Sequence, residues 1–140
     1  MQPDWKHEGV RVVHANQLDP NTAQTPGMTR MAAITHARTG AEKLWAGTVD
    51  IHPNAKTGAH HHGALESAIY VISGRARFRF GDKLEKAVDV SAGDFIYVPP
   101  QAIHQEINLD ENAPVEAIVV RDGQENVVVN VEMPVTEPPA

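Results

Sequence analysis

Short runs of alternating apolar and polar residues, separated by turn residues, extend along most of the chain. The clearest run is RARFRF at residues 75–80, in which the three arginines share one face and Ala76, Phe78 and Phe80 share the other. The arginine face is either a solvated outer surface over a packed inner one or a row that binds an anionic ligand. The alternation itself predicts a strand.

Similar runs recur at short intervals and predict an all-β fold. They read MTRMAAITH, LWAGTVDIH, SAIYVIS, AVDVSAGDFIYVPP, AIHQEINL, VEAIVV and VVVNVEM. Strands at this spacing, without an amphipathic helix, predict an antiparallel sandwich or barrel of roughly eight to eleven strands. The run VRVVH at Val10–His14 is also strand-like, the segment NQLDPNTAQTPG predicts an irregular surface loop, and the proline-rich PVTEPPA predicts a frayed tail.

Length and composition fit one domain covering residues 1–140. Its core is expected at about residues 28–120, with an N-terminal arm and loop at 1–27 and a C-terminal strand and tail at 121–140. The absence of cysteine excludes disulfides, thiolate metal ligands and cysteine nucleophiles. There is no signal-peptide core and no apolar span, and the net charge is -6, so we expect a cytoplasmic protein that binds neither nucleic acid nor membrane.

The two outermost strand-like runs suggest an oligomer. VRVVH precedes the expected core and VVVNVEM, Val127–Met133, follows it. An apolar strand outside a closed barrel needs a sheet edge to pair with. We therefore expect a homodimer in which the terminal strands extend a sheet of the same or the neighbouring subunit.

The stretch TGAHHHGALESAIYVISG, residues 57–74, contains three consecutive histidines. On a strand, His60 and His62 point to one side and His61 to the other. Glu66 could turn back toward the same side if the chain bends after His62. A triple histidine is either a solvated polar cluster or part of a metal site, and the metal interpretation requires a further ligand elsewhere.

His104 is the best candidate for that ligand. It lies in GDFIYVPPQAIHQEIN, where Pro99 and Pro100 form a rigid corner and His104 begins the following strand. Glu106, two residues later, shares its face. Of the other histidines, His7 falls in a polar segment and His14, His36 and His52 end candidate strands.

Both segments resemble the two motifs of the cupin superfamily. The first motif is matched by His60, His62, Glu66 and Gly74, and the second by Gly93, Pro99, His104 and Asn108. With the flanking strands, the resemblance extends from about Met28 to Val120. Two departures are visible. Glu66 stands one position before the place that the spacing to Gly74 favours, so either a bulge turns it inward or the site contains histidines only, and Gln101 replaces the usual glycine.

Membership of this superfamily implies a small antiparallel double-stranded β-helix, a jelly-roll barrel, with one divalent metal ion at its mouth. The implied ligands are His60, His62, Glu66 and His104. Glu106 would be a partner of the ligands, a general base or a substitute ligand. The metal could be Fe, Mn, Ni, Co, Cu or Zn. The implied pocket is lined by inward aromatic residues, with Tyr70, Phe78, Phe80, Phe95 and Tyr97 as candidates, although Phe95 and Tyr97 could equally belong to the core.

Three functions are compatible with such a barrel and a small-molecule ligand. The first is a metalloenzyme, dioxygenase-like on a phenolic or diketone compound, or isomerase-like. The second is a non-catalytic binding or sensor module, and the third is a stable barrel with a vestigial site. The fold alone does not decide between them.

Overall fold

The structure, a computed structural model, describes residues 7, 9–124 and 128–132. Ten strands are present in this part of the chain. They are β1 (Met28–Ile34), β2 (Trp45–Ile51), β3 (Ala59–His61), β4 (Ser67–Ser73), β5 (Arg75–Phe80), β6 (Lys86–Ser91), β7 (Phe95–Val98), β8 (His104–Asn108), β9 (Val115–Arg121) and β10 (Val129–Val131).

The strands form two five-stranded antiparallel sheets. Sheet A has the order β1-β2-β9-β4-β7, and sheet B has the order β10-β3-β8-β5-β6. Within residues 9–124 and 128–132 the helical elements are a 3-10 turn at Ala15–Gln17 and one helical turn, α1, at His36–Thr39. The prediction of an all-β antiparallel barrel is confirmed.

The hydrophobic core lies between the two sheets. The strands of sheet A alternate between buried and more exposed residues, as expected when one face of a sheet packs on a core. Side chains from both sheets meet there, among them Met28, Ala32, Trp45, Val49, Ile51, Val71, Ala76, Phe78, Val90, Val115 and Val119. Burying this apolar surface is the main favourable contribution to folding.

Gly47 is required by the packing of the core. A Cβ at this position would collide with the carbonyl oxygen of Met31 on the neighbouring strand and would lie 2.8 Å from the ring of Trp45. The Trp45 ring, 2% exposed, therefore packs across the space that a side chain at Gly47 would occupy.

The loop that precedes β1 covers the β1 edge of sheet A. Asp19 and Ala32 exchange two backbone hydrogen bonds, of 2.9 and 2.8 Å. The side chain of Gln24 also donates to the Arg30 carbonyl at 2.9 Å and accepts from the Arg30 amide at 2.8 Å. These bonds satisfy edge groups of β1 that would otherwise be available to another strand.

The expected strand at Val10–His14 is not formed. Val10 is 95% exposed and Val12 is 66% exposed, and these residues pair with neither sheet. The reason is that the loop at Asp19 already occupies the edge of β1, whereas Arg11 contacts the carbonyl of Thr39 at 3.4 Å. An alternating pattern does not form a strand without a free edge to pair with.

The terminal strand expected at Val127–Met133 is present over Val129–Val131, and both ends of the expected range lie outside the described residues. This strand, β10, pairs with β3 of the same chain, with Asn130 opposite His60. Of the two arrangements expected for the terminal strands, pairing with the same subunit or with its neighbour, this pairing is the first. The homodimer itself stays a prediction. The proline-rich tail lies outside the described residues.

The arginine face of β5 is mixed. Arg75 is exposed and Arg77 binds Asp89 of the adjacent strand at 2.7 Å, as expected for a solvated outer face. Arg79 is instead buried, and Phe80 on the opposite face is 38% exposed. Phe80 is exposed because it lies at the strand end, beside a cavity described below.

Candidate metal centre

Three histidines converge on the inner side of sheet B. His60 of β3 stands directly opposite His104 of β8, and His62 follows β3. The ring centroids are 4.3 Å apart for His60 and His104, 5.3 Å for His60 and His62, and 5.4 Å for His62 and His104. All three side chains are buried, and one nitrogen from each lies within 4.8 Å of the others. The strand geometry thus forms the three-histidine group that the sequence predicted.

Hydrogen bonds fix the orientation of two of these rings. Nδ1 of His60 lies 2.9 Å from the carbonyl oxygen of Gly58, and Nδ1 of His104 lies 2.9 Å from that of Ala102. Because a carbonyl can only accept, each Nδ1 must carry a proton. In the neutral ring, Nε2 then has a free lone pair that points into the cluster. Metal-binding histidines typically have this arrangement.

Glu106 lies in the same cluster. Its Oε2 is 3.4 Å from Nε2 of His60, and its Oε1 is 3.4 Å from Nε2 of His104. Thr57 donates a hydrogen bond from Oγ1 to Oε2 of Glu106 at 3.1 Å and accepts one from the Glu106 amide at 2.9 Å. Glu106 is 3% exposed, so its carboxylate lies inside the barrel, where these two hydrogen bonds hold it.

These residues fit a divalent cation. Neutral rings of His60 and His104 would direct two lone pairs at the negatively charged carboxylate of Glu106, an arrangement that is repulsive without a positive charge between them. Consistent with this, Nε2 of His60 is buried and has no hydrogen-bond partner. Ligand atoms about 2.1 Å from an ion lie about 3.0 to 3.4 Å apart in octahedral or tetrahedral shells. The two distances of 3.4 Å between Glu106 and the rings of His60 and His104 agree with this spacing.

The electrostatics keep the cluster ready to bind a cation. Burial lowers the pKa of His60 to about 4, despite the opposing attraction of Glu106. Burial alone would raise the pKa of Glu106, but His60, His104 and Arg30 together lower it well below its usual range. Burial also lowers the pKa of His104, yet the charge and hydrogen bond of Glu106 outweigh it, so that this pKa is raised. At neutral pH the cluster therefore contains a carboxylate and a neutral His60.

The remaining histidines lie away from this group. His61 is half-buried, and its Nδ1 accepts a hydrogen bond from the amide of Gly63 at 3.0 Å. Four others are exposed, namely His7, His14, His36 and His52. The alternation of side chains along β3 thus separates His61 from its neighbours, as the sequence predicted.

The structure does not bring Glu66 into the cluster. Glu66 is exposed and its amide donates to Oδ1 of Asp122 at 3.0 Å. Ser67, the next residue, is 3% exposed and points inward as the first residue of β4. The one-position offset noted in the sequence therefore has a simple outcome, in which the serine occupies the inward position and the glutamate faces solvent.

Gln101 occupies the turn position at which the second motif usually has glycine. It has φ of 64°, in the left-handed region, and its amide donates to the Gly63 carbonyl at 2.7 Å. The left-handed conformation costs a non-glycine residue about 1 kcal/mol, which this short hydrogen bond helps to offset. The bond joins the turn after His62 to the turn before His104.

A cavity of about 400 Å³, the outer cavity, opens beside His104. Its walls are mainly apolar and include Phe78, Phe80, Val88, Ile96, Tyr97 and Ile103. Three of the aromatic residues predicted for the pocket therefore do line it. The cavity is large enough for a small organic molecule.

Tyr70 and Phe95, also predicted for the pocket, lie elsewhere. They are cross-strand partners on the outer face of sheet A, with ring centroids 4.8 Å apart. Tyr70 is 36% exposed and Phe95 is 78% exposed. On β4 the inward positions are those of Ser67, Ile69 and Val71, so the alternation places Tyr70 outside.

The barrel interior also contains two arginines that sequence reasoning missed. Arg30 of β1 is 1% exposed and Arg121 of β9 is 2% exposed. The guanidinium of Arg121 lies over the Trp45 ring, 4.7 Å from its centroid. For Arg30 the sequence did contain a signal, because this residue stands between Met28 and Ala32 at every second position of a strand and therefore shares their inward face.

Comparison with known proteins gives a family match. The Cupin_2 family, described as Cupin domain, matches residues 47–121, which is more than half of the chain. Among curated protein sequences, none is significantly similar to this chain. No helix in the described ranges is long and apolar enough to cross a membrane.

Solved structures share the fold at low sequence identity. The polyketide cyclase RemF from Streptomyces resistomycificus has 21% identity and a TM-score of 0.71, with 91% of this chain and 89% of that chain covered. An uncharacterised Klebsiella pneumoniae protein with a double-stranded β-helix domain has 17% identity and a TM-score of 0.66, with coverages of 89% and 99%.

A third similar structure is a longer protein. Oxalate decarboxylase from Bacillus subtilis, solved for the study of its Mn(II) centres, has 21% identity and a TM-score of 0.68. The match covers 81% of this chain but 30% of that chain. At these identities the similarity shows the fold and leaves the reaction open.

Proposed function

Because the chain belongs to the cupin domain family, we propose that it is a metal-dependent enzyme acting on a small, largely apolar molecule. The observation that carries the proposal is the cluster of His60, His62, His104 and Glu106. The cluster adjoins the outer cavity, which His104 helps to line. A buried set of polar ligands beside an apolar pocket is the usual form of a small-molecule site.

The proposed metal is one divalent first-row ion held by the three histidines and Glu106. Imidazole and carboxylate ligands suit Fe, Mn, Ni, Co, Cu and Zn, and the bound ion in such sites polarises a coordinated oxygen or supports oxygen chemistry. Glu106 supplies the negative charge expected earlier of Glu66. This assignment uses the carboxylate as a ligand, so Glu106 is not available as a free general base.

The side chains of the outer cavity would select and orient the substrate. Phe78 and Phe80 offer flat apolar surfaces on one strand, and Ile96 offers an apolar side chain on another. A planar phenolic or diketone compound matches such walls and could present its oxygen toward His104. The apolar walls would also limit the access of water to the reacting end. These features favour a dioxygenase-like reaction on such a compound.

The test combines elemental analysis with substrate turnover. The protein is purified without a histidine tag, its metal content is measured, and oxygen uptake is followed with a panel of phenols, diketones and a polyketide. We expect about one divalent ion per chain and uptake with at least one planar compound. A protein that takes up none of the six metals would overturn the proposal.

A non-catalytic binding protein is the second candidate, and the burial of the ligands favours it. His60, His62 and His104 are 0%, 6% and 3% exposed, so little of the cluster contacts solvent directly. If the loaded protein binds panel compounds without consuming oxygen or converting them, the site is a binding site and not a catalytic one.

A further inference from the structure

Thr57 lies beside the candidate metal centre without being one of its ligands. It is 2% exposed, and its hydroxyl oxygen lies 2.9 Å from the amide nitrogen of Glu106 and 3.1 Å from Oε2 of the same residue. The hydroxyl also lies 3.1 Å from the carbonyl oxygen of Gly58, which accepts the Nδ1 proton of His60. One buried hydroxyl therefore contacts both the carboxylate of the centre and the carbonyl that orients one of its rings.

Backbone pairing fixes the position of this hydroxyl. The amide of Thr57 donates to the carbonyl of Glu106 at 2.9 Å, and the side-chain amide of Gln105 donates to the carbonyl of Thr57 at 2.9 Å. Thr57 is therefore attached to β8 two residues before β3 begins. Its β-branched side chain also has few available χ1 rotamers. The hydroxyl is thus held against Glu106 by groups that are not themselves candidate ligands.

The directions of the hydrogen bonds follow from the number of protons. The amide of Glu106 is a donor, so the hydroxyl oxygen accepts from it, and the hydroxyl proton is left for either the Gly58 carbonyl or Oε2 of Glu106. The carbonyl already accepts a proton from His60, whereas Oε2 belongs to an ionised group. Hydrogen bonds to ionised acceptors are the stronger ones, so the hydroxyl of Thr57 donates to Glu106.

This hydrogen bond determines how the carboxylate faces the rings. Oε2 lies 3.4 Å from Nε2 of His60, and Oε1 lies 3.4 Å from Nε2 of His104. A neutral ring that carries its proton on Nδ1 has no proton on Nε2 to donate to the carboxylate. The donor from Thr57 does not depend on the protonation of the rings. Without it, the carboxylate could rotate about its Cγ–Cδ bond and move both oxygens away from these positions.

We propose that Thr57 is a positioning residue of the metal centre, which acts by holding the carboxylate of Glu106 in the orientation that binds the ion. This inference rests on the metal site of the proposed function and extends it to a residue outside both sequence motifs. Removing the hydroxyl would leave all four candidate ligands in the chain but release one of them. Residues that hydrogen-bond to metal ligands typically change metal affinity by about 10- to 100-fold.

The test compares two substitutions of Thr57. Thr57→Val keeps the shape of the side chain and removes the hydroxyl, whereas Thr57→Ser keeps the hydroxyl. Cobalt(II) is titrated into metal-free protein and followed by visible absorption, which reports both affinity and ligand geometry. We expect Thr57→Val to weaken cobalt binding by about tenfold or more and to change the spectrum, and Thr57→Ser to stay within about threefold of the wild type with an unchanged spectrum.

A Thr57→Val protein with the affinity and spectrum of the wild type would overturn the proposal. This variant also leaves the buried amide of Glu106 without its acceptor, which costs stability. If it does not fold, Thr57→Ala is measured in its place against Thr57→Ser, with the same expectation.

Thr25→Val is the matched control. Thr25 is 1% exposed, and its hydroxyl accepts a buried hydrogen bond from Arg30 at 2.9 Å, away from the three histidines. Both valine variants lose one buried threonine hydroxyl, so both should lose stability, but Thr25→Val should retain the cobalt affinity of the wild type. An equal loss of cobalt affinity in the two variants would mean that affinity follows the stability of the core, and the positioning role would be rejected.

A double-mutant cycle shows whether Thr57 acts through Glu106. Glu106→Gln removes the charged oxygens that the hydroxyl is proposed to orient. In this background Thr57→Val should change cobalt affinity by less than about twofold, because residues that act as a unit have effects that do not add. Fully additive effects would show that Thr57 does not act through Glu106.

The titrations also separate this inference from the proposed function. If Thr57→Val binds cobalt as the wild type does, the positioning role fails while the metal site stands. If cobalt binding depends on Thr57 but the loaded protein converts no compound of the panel, the proposed enzymatic function fails while the positioning role stands. A wild-type protein that binds no cobalt would overturn both.

Discussion

His60 and His104 lie directly opposite each other on β3 and β8, and their ring centroids are 4.3 Å apart. The pair cannot lose one ring without leaving an incomplete ligand shell. We therefore expect His60→Ala, His62→Ala and His104→Ala each to lower metal affinity by more than about 100-fold. His61→Ala is the matched control and should retain wild-type metal content by elemental analysis. The opposite pattern would mean that the register of β3 is wrong.

The two glutamates should behave differently. Glu106→Gln keeps the shape of the side chain but removes the negative charge 3.4 Å from two imidazole nitrogens, so metal affinity should fall by about tenfold or more. Glu66→Gln changes an exposed side chain and should leave affinity unchanged. Metal titration of both variants provides the comparison. A larger loss with Glu66→Gln would restore the ligand set implied by the family motif.

The metal-free protein should lose stability in mild acid. The pKa of His60 is about 4 in the folded state and 6.5 when unperturbed, so between these values the unfolded chain binds a proton that the folded chain excludes. The free energy of unfolding should therefore fall as the pH is lowered from about 6.5 to about 4, by up to about 3 kcal/mol. The lowered pKa of Glu106 adds to the loss below its ordinary value, whereas the raised pKa of His104 opposes it.

Denaturant unfolding at several pH values measures this dependence. His60→Asn lacks the group and should show a shallower decline than the wild type over the same range. An equal decline in both proteins would mean that His60 takes up its proton equally in the folded and unfolded states.

Gly47 should not tolerate a side chain. Gly47→Ala would place a methyl group against the Met31 carbonyl and the Trp45 ring, and we expect a loss of about 1–3 kcal/mol. Gly58→Ala is a suitable control, since nothing lies within 4 Å of its added Cβ. Thermal unfolding of both variants tests the difference. Similar melting temperatures would show that β1 and β2 can separate at little cost.

The homodimer remains a prediction, but the surface through which the two subunits are expected to meet is a different one. Since β10 pairs within its own chain, the outer face of sheet A is the better candidate surface, because Tyr70, Ile72, Phe95 and Tyr97 are exposed there. Light scattering at micromolar concentration should give twice the chain mass of 15.2 kDa. Phe95→Ser should weaken the dimer, whereas Val12→Ser in the N-terminal arm should not. A monomer mass for the wild type would contradict the prediction.

Local patterns in the sequence predicted most of the fold and three residues of the centre. Strand alternation separated His61 from His60 and His62, and the proline corner located His104 at a strand start. Both the alternation and the proline corner are signals from neighbouring residues in the sequence. In the fold, β3 and β8 share one register pair, His60 with His104. The motif spacing was sufficient to indicate that they meet.

Other features depended on information that a single strand does not contain. Val10–His14 has a strand pattern, but the loop at Asp19 occupies the edge that it would need. Glu66 and Ser67 differ by one position, and the start of β4 decides which of them points inward. The roles of Arg30 and Arg121 depend on which residues face them from the opposite sheet, which alternation alone cannot tell.

The position of β10 has a consequence for the order in which the centre is completed during synthesis. β3 has three residues and lies between β8 and β10, and β10 is the last described strand to leave the ribosome. The nascent chain can pair its other strands while the strand of His60 still has a neighbour on one side only. Capture of an ion is therefore expected late, after the rest of the barrel has assembled.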